Sequence, residues 1–73
     1  MDHKLEIFVT TAEQKSFTRA AELLHMTPSA ISLSIKALEN KLGVRLFERS
    51  NKDVQLTEAG QVMYAQSKEI LLK

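Results

Sequence analysis

The stretch from Thr27 to Gly43 constrains this chain most, because both ends of one helix and its buried face are written into it. Threonine followed by proline is a helix start. The hydroxyl accepts a first-turn N–H, and proline's missing donor falls where it would be unpaired anyway. Ile31, Ile35, Leu38 and Leu42 follow at i, i+4, i+7 and i+11, within about 40° of the Ile31 direction at 100° per residue. Gly43 supplies a left-handed stop. A helix over 28–42 with one apolar stripe must lie on something, and the residues before it are the nearest support. Ala20, Ala21, Leu23 and Leu24 form a short helix with an expected N-cap at Thr18, joined to the next by a turn at His25-Met26. The paired alanines favour close approach of two helices, since larger side chains would hold the backbones apart.

A further helix precedes this pair. Leu5, Phe8, Val9 and Ala12 recur at i, i+3, i+4 and i+7, the stripe of a half-buried helix that Lys15-Ser16 interrupts. Beyond Gly43 the period changes. Val44 to Arg49 and Val54 to Leu56 read as two short strands around the polar loop Ser50-Asn51-Lys52-Asp53. A lone hairpin is marginal, so it must pack on the helices. Thr57 then caps a last helix, with Glu58 suited to the positive end of its dipole and Gly60 weakening its first turn. Val62, Met63, Tyr64, Ile70, Leu71 and Leu72 give that helix more apolar surface than one face needs. With no stop signal before the last residue, the expectation is a helix that continues in a longer protein.

Size sets limits on all of this. Seventy-three residues make one domain near the lower limit for folding on a single core. The chain has no cysteine, which excludes disulfides, thiolate zinc sites and a cysteine nucleophile. Self-association is then the favoured extra source of stability, and the apolar surplus of the last helix offers Val62, Met63, Ile70 and Leu71 for a dimer. His3 and His25 are far apart and read as exposed helix-end residues. With two glycines, Gly43 and Gly60, no phosphate-cradling loop can be built. No His/Asp/Ser set or metal-ligand spacing is present, so the expectation is a non-enzyme without cofactor or metal. No apolar run approaches the ~20 residues of a membrane span and the start lacks a secretory core, so a cytoplasmic location is expected.

Ten basic and nine acidic residues nearly cancel. Between His25 and Lys52, however, five basic residues (Lys36, Lys41, Arg45, Arg49 and Lys52) face only Glu39 and Glu48. A local basic excess points weakly toward a polyanion. The same stretch presents Ser29, Ser32, Leu33, Lys36 and Asn40 opposite the core stripe. One reading is a helix in a DNA major groove, its N-terminal half nearest the bases. There Ser29 and Ala30 allow close approach, Ser32 exchanges hydrogen bonds and Lys36 neutralises a phosphate. The other is an ordinary solvated face, which every amphipathic helix has. Leu33 stands alone in that face: either one of many exposed leucines, or an apolar group placed to meet thymine methyls. Asn51 and Lys52 at the hairpin tip suit a wing on the backbone or minor groove, and equally suit ordinary turn chemistry. Arg49 reads either as a phosphate contact or as a partner of Glu48 or another carboxylate.

The ordered series Ser16-Phe17, Ala20-Ala21, Ser32, Ile35, Leu38-Glu39, Leu42-Gly43, Leu46-Phe47-Glu48-Arg49 and Leu56-Thr57 resembles the N-terminal domain of LysR-type transcriptional regulators. It runs through SFTRAAELLHMTPSAIS, IKALENKLGVRLFER and LTEAG, and covers essentially the whole chain. The resemblance implies a mainly α, winged helix-turn-helix fold: a three-helix core, a two-stranded wing and a long C-terminal linker and dimerisation helix. It divides the chain into a DNA-binding domain at 1–56 and the start of the linker helix at 57–73. It further implies sequence-specific binding of double-stranded DNA as a homodimer or tetramer. The recognition helix would be 28–42 and the wing 49–54, with a small-molecule effector only for a C-terminal domain absent from this chain. By position, Thr27, Pro28, Ser29, Ala30, Ser32 and Leu33 fall where the family contacts bases and nearby phosphates, with Lys36 a further candidate. Lys52 falls where a wing arginine often enters the minor groove, keeping the charge without the planar fork. Members often carry Gln-Pro where Pro28-Ser29 stands, and a basic or amide residue at Leu33 followed by Gln at Ser34. Leu33 forfeits that long polar contact. The competing class is a winged-helix module used for protein association without DNA.

Overall fold

The computed structural model describes residues 3–48 and 54–71, the side chain of residue 71 excepted. Four helices follow in chain order: α1 (His3–Gln14), α2 (Phe17–Leu24), α3 (Pro28–Leu42) and α4 (Glu58–Leu71). The first three pack pairwise on one another, and α4 packs on α1 alone among the described helices. Arg49, Asn51 and Lys52, with the expected loop at 50–53 and most of the wing at 49–54, lie outside the described residues, as does the Leu71 side chain.

The α2–α3 pair forms as its local signals direct. Lys15 closes α1 in a left-handed conformation (φ 53°), and its N–H reaches the Thr11 carbonyl at 2.9 Å. Ser16 is then extended, and its Oγ accepts the Arg19 N–H at 3.1 Å. The cap of α2 is therefore Ser16, not Thr18, because the stop of α1 leaves no spare residues before the next turn begins. At the other end His25 is left-handed (φ 57°), and the Met26 N–H bonds back to the Ala21 carbonyl at 2.8 Å. This closing loop turns Met26 onto the core. Thr27 is extended and its Oγ1 accepts the Ala30 N–H at 3.1 Å, while Gly43 ends α3 at φ 74°.

The core holds Ile7, Phe8, Val9, Ala21, Ile31, Ile35, Leu38, Leu46 and Phe47. Ala20 and Ala21 are both buried, as close helix approach requires. Phe47 sits among aromatic rings, 5.5 Å from Phe8 and 5.9 Å from Phe17 between centroids. Two stripes differ from expectation. In α1, Leu5 and Ala12 are only half-buried, whereas Ile7 and Thr11 are buried. That helix meets three neighbours rather than one. Thr11 is tolerated inside because its hydroxyl donates to the Ile7 carbonyl at 2.7 Å. In α3, Leu42 lies at the rim, 40% exposed, and Glu39 is buried instead. The Glu39 carboxylate accepts the N–H groups of Leu46 at 2.7 Å and Phe47 at 3.4 Å. An acid thus anchors the segment that leaves α3, which a leucine could not do.

The expected strands at 44–49 and 54–56 reduce, among the described residues, to one antiparallel bridge between Phe47 and Leu56. The flanking bonds are Glu48 N–H to the Gln55 carbonyl (2.8 Å) and Thr57 N–H to the Leu46 carbonyl (3.0 Å). Pairing does not extend back toward Val44, because the register of the bridge sets Arg45 opposite Glu58, where α4 has begun; the Arg45 carbonyl accepts the Thr57 hydroxyl at 2.6 Å instead. The same Thr57 Oγ1 accepts the Gly60 N–H at 3.0 Å, the capping bond expected of it. Gly60 does more than weaken a turn. A Cβ there would overlap the Leu46 carbonyl oxygen and stand 3.0 Å from the Leu56 side chain, so only glycine admits this close approach.

Candidate nucleic-acid interface

The two helices of the turn divide the work between support and presentation. Ala20 and Ala21 of α2 and Ile31, Ile35 and Leu38 of α3 are buried, which fixes the rotation of α3 about its axis. Its opposite side is therefore held outward. Ser29, Leu33 and Lys36 are exposed there, with Ala30 and Ser32 half-buried at the edges, and Thr27 and Pro28 are exposed at the start of the helix. Of the seven residues singled out from the sequence, five thus share the outward side of α3, and the other two, Thr27 and Pro28, stand at its start.

The chemistry of that face is uniform. Its first turn has no acid, and up to Lys36 its side chains are short or basic apart from Leu33. The Thr27 hydroxyl accepts a helical N–H and keeps one O–H to donate outward. At the N-terminal turn of α3, Pro28 has no donor and Thr27 takes the Ala30 and Ile31 N–H groups, which leaves the Ser29 N–H and the positive end of the helix dipole to favour an anion. Toward its C-terminal end the face widens into an open groove lined by Ser32, Lys36, Glu39, Asn40, Gly43, Val44 and Arg45. Glu39 also lines this groove, but it is buried there and its Oε2 accepts the Leu46 and Phe47 N–H groups. Arg45, exposed at the groove, extends the basic character past Lys36. Sequence reading counted its charge but did not place it at the site. Its position depends on how Glu39 folds the chain back, and no spacing rule carries that.

The α4 face is different. Val62 and Ile70 are exposed, at 55% and 58%. Met63, expected alongside them, is half-buried against the domain's own core, and Tyr64 joins it there. Lys68 and the Tyr64 hydroxyl both donate to one oxygen of Glu13, each at 2.9 Å, which ties α4 to α1. The Lys68 hydrogen bond, then that of Tyr64, holds the Glu13 carboxyl below the usual carboxylate range. The same contact to Glu13 raises Lys68. Among the described residues no group of His, Asp and Glu is placed to hold a metal ion, and no helix is long and apolar enough to cross a membrane.

With that geometry in hand, the likeness to known proteins is decisive. The family model for bacterial regulatory helix-turn-helix proteins of the lysR family matches residues 3–61. The chain belongs to that family. It is a LysR-type helix-turn-helix DNA-binding domain. Relatives include the glycine cleavage system transcriptional activator of Escherichia coli strain K12, 48% identical over 66 residues, and the uncharacterized HTH-type transcriptional regulator YfeR of Shigella flexneri, 46% identical over 68. These alignments cover 90% and 93% of this chain but 22% of each relative. Among solved structures, the BenM DNA-binding domain bound to benA site 1 DNA superposes with a TM-score of 0.93 at 35% identity, covering 97% of this chain and 81% of that one. The complex of the CbnR DNA-binding domain with DNA gives 0.88 at 36% identity, covering 97% and 83%. The mainly helical fold and the helix-turn-helix agree with expectation.

Proposed function

We propose that this domain binds double-stranded DNA sequence-specifically by setting the N-terminal half of α3 in the major groove. Thr27, Pro28, Ser29, Ala30, Ser32 and Leu33 would face bases and adjacent phosphates, and Lys36 a phosphate. The observation that carries the reading is the outward face of α3: exposed, free of acids in its first turn, and fixed in rotation by a buried stripe on its other side. The likeness to the DNA complexes of BenM and CbnR supports it. Arg49, Asn51 and Lys52 complete the proposal as a wing on the backbone or minor groove. Dimerisation would run through α4, where Val62 and Ile70 are exposed and Leu71 follows, with 57–73 as the start of a linker helix. A regulator working on DNA in this way would act in the cytoplasm of a bacterium.

Binding to duplex DNA across a salt series tests this. Each phosphate neutralised gives a slope of about −0.9 in log affinity against log salt, so several contacts make a steep line. Lys52→Ala should weaken binding to all sequences alike and make the slope shallower by about 1. A flat salt response would leave the polar face idle and favour a module for protein association.

A further inference from the structure

The outward line of α3 is polar at Ser29, Lys36 and Asn40 and apolar at its centre. Leu33 points roughly 170° away from the mean direction of Ile31, Ile35 and Leu38 at 100° per residue. It is 68% exposed, the highest value among the exposed large apolar side chains described. Its neighbours one turn away are Ser29 and Lys36, both exposed, and the small residues Ala30 and Ala37. Nothing bulky and apolar adjoins the isobutyl group, and Ala30 and Ala37 add no more than a methyl each. One leucine with two alanine methyls beside it, set among serine and lysine, is too small an apolar surface to dock a protein. It is, however, the right size for one methyl group.

We propose that Leu33 is a thymine reader, packing against the C5-methyl of one thymine in each half-site. The inference rests on α3 occupying the major groove. Of the base edges there, thymine alone carries a methyl group; guanine, adenine and cytosine offer hydrogen-bonding groups that leucine cannot satisfy. Leu33 therefore selects by attraction and by exclusion at once. A T·A pair with thymine on the strand under Leu33 gains an apolar contact, whereas other pairs are left with dry polar edges.

Duplexes selected from a random pool by the unaltered protein should share one fixed thymine per half-site. Replacing that thymine with deoxyuridine removes only the methyl. Affinity should fall about fourfold, the size expected for one methyl group taken out of water. At the same position a C·G pair should bind about fourfold better when its cytosine is 5-methylated, which separates the methyl from base-pair identity. Leu33→Ala, an exposed substitution, should keep non-specific affinity and abolish both differences. If duplexes are selected and bound steeply with salt, yet deoxyuridine changes affinity less than 1.5-fold at every thymine (about a third of the logarithmic effect expected), Leu33 does not read a methyl. If no duplex is bound with a salt-dependent affinity, the DNA reading itself fails, and this inference with it.

Discussion

The two ends of α3 are held by different kinds of physics. Its start is local: His25, Met26 and Thr27 close the α2–α3 turn with bonds between residues at most five apart. Its end is not. There Glu39 reaches seven and eight residues on to Leu46 and Phe47, Thr57 reaches back to Arg45, and Gly60 lies against the Leu46 backbone. A local device stabilises the element that carries it. A non-local one fixes where the next element goes, so its loss should cost more and should disturb the placement of the 44–57 segment and α4. The presented face of α3 belongs to the first kind and the groove beside Arg45 to the second.

The largest expected effect is at Gly60. Gly60→Ala pushes a methyl into a carbonyl oxygen of the backbone, which cannot rotate away as a side chain would. A loss of about 3 kcal/mol or more is expected in urea unfolding, the upper end for overpacked sites. Next is Glu39→Ala, which leaves the buried Leu46 N–H without its acceptor and should cost about 2–3 kcal/mol. Glu39→Gln, which keeps an acceptor oxygen, should recover part of that. At the local end, Thr27→Ala removes one cap and should cost about 1 kcal/mol. A Thr27→Ala loss equal to that of Gly60→Ala would erase the distinction between the two ends.

The same distinction explains what could be read from the sequence. The span of α3, its threonine cap, the paired alanines and the glycine stop are decided by residues within a turn of each other, and all were legible. Leu33 was legible too, as an apolar residue with no stripe to join. Glu39 was not. On a wheel it is one more surface acid, and only the returning backbone of Leu46 makes it a buried acceptor. Gly60 misled for the same reason: propensity assigns it a cost, whereas its role is set by a carbonyl fourteen residues earlier in the chain. The N-cap of α2 falls two residues before the threonine that the sequence suggests, because the left-handed stop at Lys15 is a choice a non-glycine residue makes only in context.

The smallest effect sharpens the comparison at α4. Glu13→Gln should lower stability slightly near neutral pH, since an exposed pair contributes little. The Glu13 carboxyl is held below its ordinary range, so its contribution is present above that range and is lost as pH falls through the depressed value. The gap between the native protein and Glu13→Gln should therefore close in acid, below about pH 4. Lys68, raised by the same contact, gives the opposite edge: its share is present below the usual lysine range and lost as pH rises through the raised value. A gap that persists unchanged into acid would mean that Glu13 acts through packing and not through its charge.

The central claim is that the outward face of α3 is the surface that meets DNA. Amide NMR signals followed during titration with a selected duplex test it most directly. The expected result is that the largest shifts map from Thr27 to Lys36, with those of α1 small. Largest shifts on α1, or none with any duplex, would contradict it.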